Sequence, residues 1–200
     1  MSSVEDTLNN LRERMAVQRK ALSPQQRMSA AQGVRRQLEH LPEFLVAPRV
    51  AGYWACRGEL PLNLALAPLA DRGQQLYLPR VAAQRQMSFA AWSMGEPVTA
   101  NRHGIPEPDA DAATVQARDL DLVLVPLLAF DRTGHRIGTG GGYYDTSFAF
   151  LHQTSRPTRP LLVGVGYTFQ EHPTLETREW DVSMDYVVTE DELIHCTGAS

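Results

Sequence analysis

Lysine is nearly missing from this chain: Lys20 stands alone beside 18 arginines. We attribute that skew to genome composition and read no function from it. Cysteine is scarce as well. Cys56 and Cys196 are too few and too far apart for a metal knuckle or a disulfide framework, and both are expected to stay reduced in cytoplasm. No apolar stretch approaches the roughly 20 residues of a membrane span. The start of the chain carries Glu5, Asp6 and Glu13 and no apolar signal core. A soluble, cytoplasmic protein with no membrane partner is expected. Basic excess is absent too: the formal net charge is -4, which argues against a nucleic-acid partner. The six histidines are scattered and form no metal-like group.

What is present suits a small enzyme. Two hundred residues, 43% of them hydrophobic, can build a substantial core, and a single domain over residues 1–200 is expected. Val4, Leu8, Leu11 and Met15 recur at helical spacing and predict an amphipathic first helix. Ser23, Pro24 and Gln26 supply an N-cap, a first-turn proline and a capping-box glutamine for a second helix reaching about Leu41. Residues 50–55 read as a strand, 61–70 as a helix interrupted at Pro68, 75–78 as a short strand and 87–92 as a further β element. Residues 93–119, rich in Pro, Asp and Ala, read as a long surface connection. Leu122, Val123, Leu124 and Val125 form an unbroken apolar run, as in a strand buried on both faces of a parallel sheet. Strands at 161–165 and 186–188 complete the set. This alternation predicts an α/β three-layer sandwich with a mostly parallel central sheet, without internal repeats.

The segment after the apolar run is the most informative. Pro126 ends the strand, a polar loop passes through Asp131, Arg132, Thr133 and Gly134, and Gly138, Gly140, Gly141 and Gly142 then fall within five positions. Tyr143, Tyr144 and Asp145 open a predicted helix continuing through Phe148 and Leu151. Glycine lets backbone N–H groups converge on an anion where a Cβ would intrude, and the helix adds partial positive charge at its start. Strand, glycine-rich loop and helix therefore predict a phosphate cradle. Arg132, Arg136 and Asp145 supply what a nucleotide phosphate and its metal require. The loop is neither a Walker A motif, lacking the lysine, nor a clean G-x-G-x-x-G fingerprint. The competing reading is a glycine turn that merely packs a helix on a sheet.

Ligands of such folds gather at the carboxyl ends of strands. Glu59, Arg80, the glycine loop and Tyr167 each follow a predicted strand, and one cleft is expected to collect all four. Taken singly, they read as a solvated acid, a surface cation, a glycine turn and a half-buried aromatic.

PLLAFDRTGHRIGTGGGYYD, residues 126–145, closely resembles the signature of the 5-formyltetrahydrofolate cyclo-ligase (methenyltetrahydrofolate synthetase) family. LRERMAVQRKALSP, GYWACRGEL, LYLPR, GIPEP and WDVSMDYVVTE add weaker pieces in the family's order, so the resemblance covers nearly the whole chain. It implies a Rossmann-like, NagB/RpiA/CoA-transferase-like fold and a ligase of one-carbon metabolism. That ligase would use ATP and magnesium to convert 5-formyltetrahydrofolate into 5,10-methenyltetrahydrofolate, with small molecules as its only partners and a monomeric state. ATP binding is implied for Arg12 and for Arg136, Ile137, Gly138, Thr139, Gly140, Gly141, Gly142, Tyr143 and Tyr144. Substrate contact is implied for Trp54, Glu59, Thr139, Gly140, Gly141, Gly142 and Tyr143, and magnesium binding for Asp145 and Asp181. Arg136, Tyr143 and Asp145 are the residues the resemblance marks as catalytic.

The chain departs from the family pattern in three places. Leu8 stands where a lysine is usual, Thr146 where a basic residue is common, and Trp180 where histidine is frequent. Activity is still expected, with weaker ATP affinity. Two other classes stay open: a protein of the same fold that binds a folate or phosphometabolite without turnover, and a structural module with no nucleotide site.

Overall fold

The computed structural model describes residues 2–154 and 156–197. Helices α1 (Ser2–Ala21), α2 (Pro24–Leu38) and the short α3 (Pro42–Val46) precede strand β1 (Arg49–Ala51). Helix α4 (Asn63–Leu66) leads to β2 (Gln75–Val81), β3 (Met87–Ala91), β4 (Val98–Ala100), β5 (Pro106–Pro108) and β6 (Thr114–Val115). Strands β7 (Leu122–Pro126), β8 (Ala129–Phe130) and β9 (Arg136–Ile137) come next, then α5 (Tyr143–Phe148), β10 (Leu161–Val165), β11 (Tyr186–Val188) and β12 (Leu193–His195). No helix is long and apolar enough to cross a membrane among the described residues.

Eight strands form the main sheet in the order β12-β11-β10-β7-β1-β2-β3-β6. The central strands β11, β10, β7, β1 and β2 pair in parallel, while β12, β3 and β6 add antiparallel edges. Side chains alternate between two cores because successive residues of a strand point to opposite faces. Val50, Leu122, Leu124, Val163 and Val165 face α2, α3 and α4. Ala51, Val123, Val125 and Leu162 face Phe148 of α5 and Leu151 of the 3-10 turn that follows it. The expected three-layer α/β sandwich is therefore what the chain builds. Helix α1 stands outside the layers: Leu11 and Met15 pack on Leu128, Ala129, Ile137 and Leu175, beyond the end of β7. The side chain of Val4, the first member of the predicted stripe, lies outside the described residues.

Local chemistry accounts for the boundaries. Ser23 Oγ accepts from Gln26 N at 3.2 Å and Gln26 Oε1 accepts from Ser23 N at 2.8 Å, the predicted capping box. Helix α2 stops at Leu38 rather than about Leu41, because Pro42 excludes helical geometry from its predecessor: Leu41 is extended, φ -97° and ψ 103°. β1 is shorter than predicted: Gly52 N makes a last bond to Tyr77 O at 3.0 Å, and the chain leaves the sheet after Gly52. A side chain there would meet Leu66 Cδ1 at 2.9 Å. Residues 93–119 are more ordered than expected. Glu107 accepts from Val81 N at 3.0 Å and Asn101 Nδ2 at 2.7 Å, fastening the β4–β5 hairpin to the end of β2.

Gly33 sits on the buried side of α2, where a Cβ would come within 2.4 Å of the Glu190 carbonyl oxygen. Alanine is favoured over glycine inside a helix by about 1 kcal/mol, but overpacking against a backbone costs about 1–3 kcal/mol. We expect Gly33→Ala to lower the urea midpoint of unfolding. A midpoint at or above that of the parent would show that α2 and the turn after β11 part at little cost.

Candidate active site

Across the parallel strands the order is β2-β1-β7-β10-β11. The chain leaves β1 toward β2 on one side and β7 toward β10 on the other, so a crevice opens between the carboxyl ends of β1 and β7. A cleft of about 550 Å³ occupies it, lined by α1, the loop after β1, the β4–β5 turn, the glycine loop and the segment before β11.

The loop after β1 carries Trp54, half-buried with its ring 5.7 Å edge-on from Trp92. A tight turn follows, with Arg57 (φ 50°) and Gly58 (φ 80°) in the left-handed region, and it brings Glu59 back over Cys56. Glu59 Oε2 accepts from Cys56 N at 3.0 Å and lies 3.5 Å from Cys56 Sγ; Oε1 has no protein partner among the described residues. Burial and the Glu59 carboxylate push the Cys56 thiol up to about 11, so it is no nucleophile near neutral pH. Tyr53 donates to Leu60 O at 2.8 Å, and burial followed by the Glu59 charge holds its hydroxyl far above the usual range.

The glycine loop forms the opposite wall. Gly140 (φ 92°) and Gly142 (φ 68°) adopt left-handed backbone that other residues resist. Gly138 is different: its φ requires no glycine, and a Cβ there would meet no atom within 4 Å; the same open space faces Gly140. Both glycines line the cleft, so their backbone stands open to it. Gly141 is closed by a neighbour, a Cβ there meeting Tyr143 Cδ2 at 2.8 Å. Helix α5 is shorter than predicted, passing into a 3-10 turn at Ala149–Gln153, so loop amides and arginines carry more of the positive potential than its dipole does.

Charged side chains frame the loop. Arg12 Nε donates to Gly138 O at 3.1 Å. Arg136, 6% exposed, donates to Asp145 Oδ1 and to Val182 O, both at 2.8 Å. Val182 N donates to the same Asp145 oxygen at 3.2 Å, which draws the neighbouring Asp181 to the α5 side of the cleft. Asp181 Oδ2 accepts from Arg178 N at 2.9 Å. Asp145 Oδ2 and Asp181 Oδ1 have no protein partner among the described residues. Two hard carboxylate oxygens beside a phosphate-sized space fit a magnesium ion, which commonly takes one or two carboxylates and fills its remaining positions with phosphate oxygens and water. No group of three His, Cys, Asp or Glu able to hold a metal occurs among the described residues.

Every residue implied as a ligand contact therefore lines one cleft: Arg12, Trp54, Glu59, the run from Arg136 to Asp145, and Asp181. Ile137 does so from below, buried against Leu11 and Met15, and Tyr144 stacks on Phe148 at 6.2 Å. Three other expectations fail. Arg80 binds the carbonyls of Pro108, Asp109 and Ala110 and braces the β5 end, because β2 runs on past Leu78 and carries it beyond the crevice. Tyr167 is buried, its hydroxyl 3.4 Å from Gly58 O, a strut under the Glu59 turn rather than a cleft residue. Arg132 is paired on the surface with Glu171 at 2.7 Å and Glu192 at 2.5 Å, away from the cleft. Sequence reasoning also missed cleft residues. His103 reaches Tyr143 Oη at 3.3 Å from a hairpin read as plain connection. Arg19 lines the floor although it is 2% exposed. Its signal was available, for it continues the inward stripe of Leu8, Leu11 and Met15, where an apolar residue belongs.

Comparison with known proteins places this geometry in context. The model of the 5-formyltetrahydrofolate cyclo-ligase family matches residues 4–190. The 5-formyltetrahydrofolate cyclo-ligase of Escherichia coli K12 is 30% identical over 175 residues, spanning 86% of this chain and 93% of that protein. That of Haemophilus influenzae is 30% identical over 166 residues, spanning 82% and 87%. Among solved structures, the 5,10-methenyltetrahydrofolate synthetase of Aquifex aeolicus superposes with a TM-score of 0.79 at 31% identity, covering 95% of this chain and 93% of the other.

Proposed function

The chain belongs to the 5-formyltetrahydrofolate cyclo-ligase family, and from that premise we propose that its cleft converts 5-formyltetrahydrofolate into 5,10-methenyltetrahydrofolate at the expense of ATP. The observation that carries this reading is the open cradle at Gly138 and Gly140, set across one cleft from the free oxygen of Glu59. Phosphate chemistry and pterin recognition thereby share a single space.

The reaction asks little covalent chemistry of the protein. An N5-formyl group is an amide, so its carbonyl carbon is a poor electrophile toward N10. Transfer of the γ-phosphoryl group of ATP to the formyl oxygen, with ADP departing, turns that oxygen into a leaving group. N10 then attacks the activated carbon and gives up its proton, the C–O bond breaks, and phosphate leaves, carrying that proton, as the methenyl ring closes. Positioning and charge neutralisation supply such catalysis, so no Ser, Cys or His nucleophile is needed.

The residues divide accordingly. Glu59 accepts from the pterin's ring NH and amino donors, and the Trp54 ring packs on the pterin. Loop amides from Gly138 to Gly142 surround the transferring phosphoryl group, with Arg12 and Arg136 beside it and Tyr143 between loop and folate. Asp145 and Asp181 would hold magnesium, which would neutralise charge on the phosphate oxygens. Arg136 keeps Asp145 oriented through one carboxylate oxygen, leaving the other for the ion. Leu8 packs on the cluster under α1 and brings no cation, so Arg12 alone represents that helix at the nucleotide.

The direct test is purified protein with 5-formyltetrahydrofolate and magnesium-ATP, followed by methenyl absorbance. No product from folded protein would leave a ligand-binding relative without turnover.

Glu59→Gln should raise the folate KM while leaving the ATP KM near the parent value. Losing a charge-assisted pair costs about 1.5–3 kcal/mol, on the order of ten- to a hundredfold. Equal effects on both substrates would reduce Glu59 to a solvated acid.

For the metal, Asp145→Asn and Asp181→Asn should each lower kcat sharply, with excess magnesium partly restoring at least one. Magnesium titration of the rate decides it: if both variants keep the parent's dependence, these acids do not hold the ion.

A further inference from the structure

Arg19 is the most buried charge on the cleft, 2% exposed at the inner end of α1. Its NH1 donates to Leu127 O at 3.2 Å and its NH2 to Arg57 O at 3.4 Å, while Nε has no partner. No carboxylate lies within ion-pair distance of it among the described residues. A helix held to its neighbours by packing alone would place leucine or methionine here, because a buried guanidinium without a paired acid is costly to desolvate. Burial does lower its affinity for the proton, and the Glu59 carboxylate is the strongest opposing influence.

The two carbonyls it reaches are informative. Leu127 follows β7, and Arg57 belongs to the turn that follows β1 and delivers Glu59. The guanidinium thus spans the crevice floor and joins the loops that diverge there. That turn also rests directly on α1, where a Cβ at Gly58 would stand 3.1 Å from the Arg19 carbonyl carbon and oxygen. Gly58 accepts its φ of 80° without cost, but Arg57 at φ 50° holds left-handed backbone that a non-glycine residue resists, and its carbonyl is the group Arg19 reaches.

We propose that Arg19 is a positioning residue for the folate subsite: it ties the strained Arg57–Gly58 turn to the end of β7 and sets a positive charge behind Glu59. This rests on the reading that Glu59 grips the pterin. Arg19 need not touch either substrate. It acts through the Glu59 carboxylate, holding it aimed into the cleft and compensating its charge before the folate arrives.

Steady-state kinetics of Arg19→Met, Arg19→Lys, Glu59→Gln and the Arg19→Met/Glu59→Gln double variant test it, with thermal melts to confirm folding. Arg19→Met should raise the folate KM on the order of tenfold and leave the ATP KM within about twofold, the loss of one charge-assisted contact. Arg19→Lys, keeping the charge without the fork that reaches two carbonyls, should recover part of that loss. On the Glu59→Gln background, Arg19→Met should add little, since its effect passes through a carboxylate already removed.

Equal rises in both KM values, or fold-changes that multiply in the double variant, would make Arg19 a structural staple of α1 and overturn the proposal. Should Arg19→Met not fold, Arg19→Lys decides alone: a folate KM equal to the parent's, or one raised together with the ATP KM, refutes the tie. A Glu59→Gln variant with parental folate KM would instead refute the Glu59 assignment, an outcome visible without any Arg19 variant.

Discussion

Strands β1 and β7 lie side by side in parallel, Val50 opposite Leu122 and Ala51 opposite Val123, and the chain leaves them in opposite directions. Val50, Ala51 and Leu122 to Val125 each enter one of two apolar cores, and the one charge on the pair, Arg49, stands at the amino end of β1 against Asp121 at 3.2 Å. Chemistry is therefore pushed to the carboxyl ends, where backbone turns away and leaves space that neither connection fills. Helix α1 covers one side of the opening without closing it. Its packing on Leu128 and Ile137 fixes where Arg12 and Arg19 enter, so a helix outside the layered fold supplies two cations of the cleft.

Polar groups beneath the site are committed to holding loops. Gln170 donates to Leu127 O at 3.0 Å and Leu128 O at 2.7 Å, fixing the exit from β7. Burial alone would raise the Asp131 carboxyl, yet bonds from Thr133, Leu175 and His135 hold it below its ordinary range. That network builds the β8–β9 turn from within, so Asp131, Thr133 and His135 are engaged in holding the turn. The glycine loop begins where β9 ends, on a base that does not have to reorganise when charge arrives. Preorganisation of this kind is what positioning catalysis requires.

Much of the fold was legible because its signals are local or periodic. The Ser23–Gln26 box and the Leu122–Val125 run depend on neighbouring residues and the two-residue strand repeat, and both appear as read. The β4–β5 hairpin was not legible: it pairs locally, but its strands are three residues long and one is Pro-Glu-Pro, and what orders it is Glu107 reaching Val81, 26 positions away. The site divides the same way. Glycine spacing and strand-end acids marked Glu59 and the loop, whereas Arg80, Arg132 and Tyr167 looked equivalent in sequence and were separated only by tertiary partners. A strand-end position says that a residue is near the crevice. Whether the side chain turns into it depends on what carbonyl or acid stands on the other side.

The same distinction explains the glycines and the one arginine that breaks the pattern. Glycine at 140 and 142 answers a backbone requirement, at 141 a close neighbour, and at 138 neither. Neither strain nor packing excludes a larger side chain at residue 138, which fits the proposed phosphate site on that side of the cleft. Arg19 is the converse case. Packing and periodicity ask for an apolar side chain at that position of α1, and the chain places a guanidinium whose partners belong to the two diverging loops. A glycine that neither strain nor packing demands and an arginine that departs from its apolar stripe are both choices the folded polypeptide alone does not require. Both lie on the same crevice, which is the physical ground for locating the chemistry between them.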